Sequence, residues 1–95
     1  MSQIIWAPEA FDDLLAIFEF VANDSLHYAE KLVDDITNRV SILTDHPDSG
    51  RKVPEKNNEY CREVFEGQYR IIYNTSNFPT IEVLRIIHFS RIFNK

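Results

Sequence analysis

Three short runs of strand-forming residues, separated by turn formers, occupy residues 60–91, and their spacing constrains the fold more than anything else in the chain. The runs are Tyr60–Phe65, Tyr69–Tyr73 and Ile81–His88. Gly67 and Gln68 separate the first two, and the segment from Asn74 to Pro79 separates the last two. Short β-branched and aromatic runs bounded in this way predict two successive hairpins, hence a three-stranded antiparallel meander. Three strands bury too little apolar surface to stand alone, so the remaining residues must cover one face.

The first half supplies that cover. Gln3–Trp6 is a short apolar run suited to an edge strand. Pro8 fits the first turn of a helix, where its missing N–H costs nothing, and Glu9, Asp12 and Asp13 favour the positive end of the helix dipole. Phe11, Leu14, Leu15, Phe18, Val21 and Ala22 recur at helical spacing, predicting a helix from Pro8 to Ala22. Asn23, Asp24 and Ser25 form a break and offer N-caps. A second stripe of Ala29, Leu32, Val33, Ile36, Val40 and Leu43 predicts a helix from Ser25 to Thr44, antiparallel to the first because the connection is short. Both stripes are expected to face the core. Pro47 and Gly50 end this helix, and the polar stretch Arg51–Asn58 is expected to be a loop leading into the meander. The expectation is one α+β domain over residues 1–95, strand–helix–helix–strand–strand–strand, with a helical hairpin on one face of a small, mainly antiparallel sheet.

Composition bounds the function. No apolar run approaches the roughly 20 residues a membrane span needs, and no basic-then-apolar leader opens the chain. No membrane partner is therefore expected. Cys61 is the only cysteine, so no internal disulfide can form and a cytosolic setting is the simple inference. Phosphate-loop, zinc, nucleophile-elbow and dinucleotide patterns are missing, and neither metal nor cofactor is expected. The formal charge of −5 is unevenly placed. Residues 1–50 carry ten acids and two bases, net −8, whereas residues 51–95 carry eight bases and five acids, net +3. The basic half suits phosphates or an acidic partner.

The chemistry the chain can offer lies on the meander. Alternation groups Arg62 with Val64, Arg70 with Ile72, and Arg85 with Val83 and Ile87. Three arginines from three strands can converge on the sheet face left open by the helices. His88 falls opposite Arg85 under strict alternation. Metal-free cleavage of RNA needs a base, an acid and a cation for the phosphate. His88 and Glu63 offer the first two, the arginines the third, and Tyr69 or Tyr73 a stacking surface or a proton.

The chain also resembles the RelE/ParE superfamily of type II toxins. The likeness lies in Trp6-Ala7-Pro8-Glu9-Ala10 with Asp13-Leu14; in His46-Pro47, Gly50-Arg51 and Val53-Pro54-Glu55; in Arg62-Glu63 and Tyr69–Tyr73; and in Val83–His88 with Arg91. It runs along nearly the whole chain, its strength being in the order of the pieces. The resemblance implies a growth-inhibiting toxin held inactive by a cognate antitoxin. RelE-like members cut mRNA on the ribosome without metal, and Arg62, Arg70, Arg85 and His88 would then be the catalytic candidates. ParE-like members share the fold but poison DNA gyrase and are not nucleases. In either case Arg51, Lys52, Tyr69, Tyr73 and Arg91 are the candidates for touching target or antitoxin. The run Ile81–His88 with its short tail is closer to ParE-like sequences. The net negative charge, the lack of lysine between Lys56 and Lys95, and Phe89 rather than tyrosine after His88 point the same way. A third reading is an inactive toxin-fold module that acts with an antitoxin in operon regulation. The charge asymmetry further leads us to expect an acidic antitoxin segment over the basic half.

Overall fold

The computed structural model describes residues 2–91 and Phe93. Strand β1 (Gln3–Trp6) is followed by helices α1 (Pro8–Ala22) and α2 (Leu26–Ser41), the latter prolonged by a 3₁₀ turn, Ile42–Thr44. Strands β2 (Arg51–Lys52), β3 (Cys61–Glu66), β4 (Tyr69–Asn74) and β5 (Thr80–His88) complete the fold. Pro8 stands at the start of α1 as expected, and the Ser25 side chain caps α2 by accepting from the Tyr28 N–H at 3.1 Å.

All five strands form one sheet in the order β1-β5-β4-β3-β2. The meander β3-β4-β5 is antiparallel, as its turn residues predict, and β1 joins β5 in parallel. The expected α+β arrangement holds, with one addition. Arg51 and Lys52, read as loop, pair with Glu63 and Arg62 as a fifth strand. Two residues are too few to show a period, so the sequence could not reveal it.

Beneath the helices lies the larger core. Ala10 of α1 and Ile36, Val40 and Leu43 of α2 and its 3₁₀ turn pack on Val64, Ile71, Tyr73, Ile81, Val83 and Ile86. The second helical stripe therefore faces the core as expected. The first is shifted: Leu14 and Ile17 pack inward, while Phe11 and Leu15 are exposed. Helix α1 is apolar around most of its circumference, and burial picks one arc of it.

The opposite sheet face is not open. Val53, from the loop after β2, and Phe93 pack with Cys61, Ile72 and Ile87 into a second buried cluster. Burial there pushes the Cys61 thiol pKa up, which keeps it protonated and inert.

One irregularity positions the functional residues. Ile72 pairs with Arg85, but the next residue, Tyr73, pairs with Val83, leaving Leu84 as an extra residue in β5. This bulge lets Val83 and Ile86, three apart, both face the helices. Arg85, opposite Ile72, therefore stays in phase with Ile87 but not with Val83, with which plain alternation groups it.

Candidate functional site

Strand β1 covers only the first half of β5. The Ala7 N–H donates to the Val83 carbonyl at 2.9 Å, Pro8 turns the chain into α1, and the β5 edge beyond is left without a strand. Asp13 takes that place. Its Oδ2 accepts from the Ile86 N–H at 2.9 Å and from Arg85 Nε at 2.6 Å, and its Oδ1 accepts from Arg85 Nη2 at 3.0 Å. The forked pair raises the pKa of the guanidinium further and fixes it against α1.

The β5 end and α1 enclose a cleft of about 330 Å³. Tyr69, Arg85, His88 and Arg91 line it, facing an apolar wall of Ala16, Ile17 and Phe20 from α1. His88 pairs with Tyr69 across the strands, with the two rings edge-on at 5.9 Å. The imidazole is oriented by the turn that follows. Its Nδ1 accepts from the Ser90 N–H at 3.2 Å and lies 2.8 Å from the Ser90 hydroxyl oxygen. The Arg91 N–H closes the same turn by donating to the His88 carbonyl at 2.9 Å. Phe20 is 74% exposed at the rim. Arg85 and His88 thus line one cleft although they alternate across β5, because Arg85 reaches around the bare β5 edge to Asp13.

The three strand arginines do not converge. Arg62 shares the helix-side face of β3 with Val64, far along the sheet from the cleft. Its Nη1 donates to the Gly50 carbonyl at 2.8 Å, and it lines a separate pocket with Tyr60 and Phe78. Arg70 points to the other face, where its side chain is only 5% exposed. There its Nε donates to Glu63 Oε1 at 2.7 Å, Nη2 to Glu55 Oε1 at 2.7 Å, and Nη1 to Glu55 Oε2 at 2.9 Å and to the Arg91 carbonyl at 2.7 Å. The hydrogen bonds and charge of Glu55 and Glu63 raise the pKa of this guanidinium, which is fully used inside the protein.

Tyr73 is likewise unavailable to a partner. It is wholly buried, accepting from the Gly50 N–H at 3.0 Å and donating to the Pro47 carbonyl at 2.8 Å, and burial raises its pKa. Its alternation was readable, but the loop that folds over its hydroxyl was not. Arg51 donates from Nε to Glu63 Oε2 at 2.6 Å and lies 5.5 Å over the Phe65 ring, with Lys52 exposed beside it on β2 at the sheet's outer edge.

Two residues carry more than sequence reasoning gave them. In the sequence Asp13 stands out for the helix dipole and as part of a short motif, and Glu55 only as part of a short motif. Both are contact partners of arginines distant in sequence, a pairing that opposite charge alone does not single out.

Most of the polar groups of the cleft are already engaged within the protein. Both Asp13 oxygens are occupied by Arg85 and Ile86, so no carboxylate there is placed to serve as a base. Arg85 is neutralised, and His88 Nδ1 is engaged with Ser90. What remains is one cation, Arg91, two rings and an apolar wall. Among the described residues no cluster of His, Cys, Asp and Glu could hold a metal ion, and no helix is long and apolar enough to cross a membrane.

Comparison with known proteins agrees with this fold. A chain of the "Chromosomal ParDE TA system from P. aeruginosa" superposes with a TM-score of 0.75, covering 93% of this chain and 96% of that one at 24% identity. That likeness is one of fold. No curated protein matches the sequence. The family model described as "ParE toxin of type II toxin-antitoxin system, parDE" matches residues 4–93, nearly the whole length, and the chain belongs to that family of toxins.

Proposed function

We propose that this toxin inhibits growth by binding DNA gyrase through the cleft at the end of β5, and that it does so without cutting RNA. The observation that carries this reading is the internal commitment of Arg70 and Arg85. Arg70 is buried between Glu55 and Glu63, and Arg85 is forked onto Asp13. In this cleft Arg85 is spent on Asp13, and Arg91 alone is left. An RNA-cleaving site needs cations to meet the phosphate as charge develops and a base to take the 2′-hydroxyl proton. A protein surface needs neither. It gains from an aromatic anchor and an arginine beside apolar wall, which Phe20, Tyr69 and Arg91 supply.

A cognate antitoxin is proposed as the second partner, with an acidic segment lying over the basic half of the chain. Its binding would weaken with salt, as surface charge attraction is screened within roughly 10 Å at 0.1 M. The test of target is direct. Purified toxin added to gyrase and relaxed plasmid should suppress supercoiling and leave cleaved DNA. Unaltered supercoiling, with mRNA cut on added ribosomes, would overturn the reading in favour of a RelE-like nuclease. Loss of neither, with no growth inhibition on induction, would leave the operon-regulating module.

A further inference from the structure

The chain crosses from one sheet face to the other immediately after the cleft. His88 lies on the helix side opposite Tyr69, whereas Phe93 is 3% exposed in the cluster on the far side. Between them, Arg91 lines the cleft while its carbonyl accepts from Arg70 Nη1 at 2.7 Å. Two residues on, the Phe93 N–H donates to Glu55 Oε2 at 3.0 Å, the same oxygen that receives Arg70 Nη1 at 2.9 Å. One ion pair on the far face therefore grips the backbone on both sides of residue 92.

We propose that Glu55 and Arg70 form a latch that positions Arg91 in the cleft, so that toxin potency depends on a pair that never meets the target. This rests on reading the cleft as the surface that meets the target. Arg70 would then be a positioning residue and not a catalytic one. Phe93 is also held by packing, but Arg91 itself is exposed, and its N–H to the His88 carbonyl is a single local turn. The anchor is charge-assisted and nearly buried, with Glu63 fixing Arg70 from the other side at 2.7 Å. Arg70 keeps the Glu55 carboxyl at about 2, so the latch stays charged through the neutral range and works as a fixed support.

The test uses the full-length protein and three variants, Glu55→Ala, Arg91→Ala and the double variant. Two quantities are read: amide proton exchange at Phe93, and the inducer level needed to halve colony counts. Losing hydrogen bonds to a charged group should speed Phe93 exchange by about tenfold or more in Glu55→Ala. Potency should fall about tenfold in either single variant and no further in the double one, because both remove the same positioned cation. A merely structural Glu55 would not give that non-additivity. Unchanged exchange at Phe93, full potency despite a freed tail, or losses that multiply in the double variant would each overturn the latch. Should Glu55→Ala fail to fold, Glu55→Gln keeps one acceptor oxygen and carries the same comparison. Growth is scored whatever the target, so a failed gyrase assay would leave this result standing.

Discussion

Asp13 shows how much one carboxylate can do when a strand ends early. It completes the hydrogen bonding of β5 at Ile86, fixes Arg85 in a fork, and so shapes one wall of the cleft. Its side chain is 18% exposed, and removing it would strand an N–H that no other residue reaches. Asp13→Ala should lower stability by about 2–3 kcal/mol, as expected when a buried donor and a charged partner are both left unmatched. Asp13→Asn should cost less, because its amide oxygen can still accept from Ile86. Urea midpoints of the three proteins check the order. Asp13 was visible in the sequence as a helix-start acid, and Arg85 as a strand arginine. Their meeting was not, since 72 residues separate them and it takes place at the β5 edge that β1 leaves bare.

At the level of elements, long periodic segments were legible and short or irregular ones were not. Helices α1 and α2 and strands β3, β4 and β5 announce themselves by spacing and turn residues. Strand β2 has two residues, and the bulge in β5 reads as ordinary strand because Leu84 and Arg85 both suit one. The phase of α1 was obscured by its own hydrophobicity. The turns offer a sharper test, since the two glycines serve different ends. Gly67 has a φ of 58° in the β3–β4 hairpin, and a Cβ there would meet nothing within 4 Å. Gly50 has no such φ, but a Cβ would come within 2.5 Å of the Tyr73 hydroxyl and 2.6 Å of the Glu63 carbonyl. Gly67→Ala should therefore cost about 1–2 kcal/mol for left-handed backbone alone. Gly50→Ala should cost about 3 kcal/mol or more, because overpacking also displaces the buried tyrosine hydroxyl. Denaturant titration of both variants measures the difference, and a larger loss at Gly67 would refute the assignment.

Across the whole molecule, the sequence foretold a sheet covered on one face, and the structure covers both. The second cover comes from a loop residue, Val53, and from Phe93 near the chain end, neither of which shows a periodic pattern. What joins these remote pieces to the sheet is the ion network of Glu63, Arg70 and Glu55, and that network gives the fold a specific acid sensitivity. Hydrogen bonding to Arg70 lowers the Glu55 carboxyl from 4.5 to about 2. A depressed carboxyl contributes its full stabilisation above the unfolded value, and the contribution shrinks as pH falls through the folded one. The stabilisation from Glu55 should thus be complete above pH 4.5 and disappear as pH approaches 2. Glu55→Gln cannot titrate, so its melting temperature should lie below that of the parent by a constant margin near neutrality. That margin should close across the same acid window as the parent protonates. Thermal melts of both proteins from pH 7 downward check this, and two parallel curves would mean that Glu55 is not held ionised by Arg70.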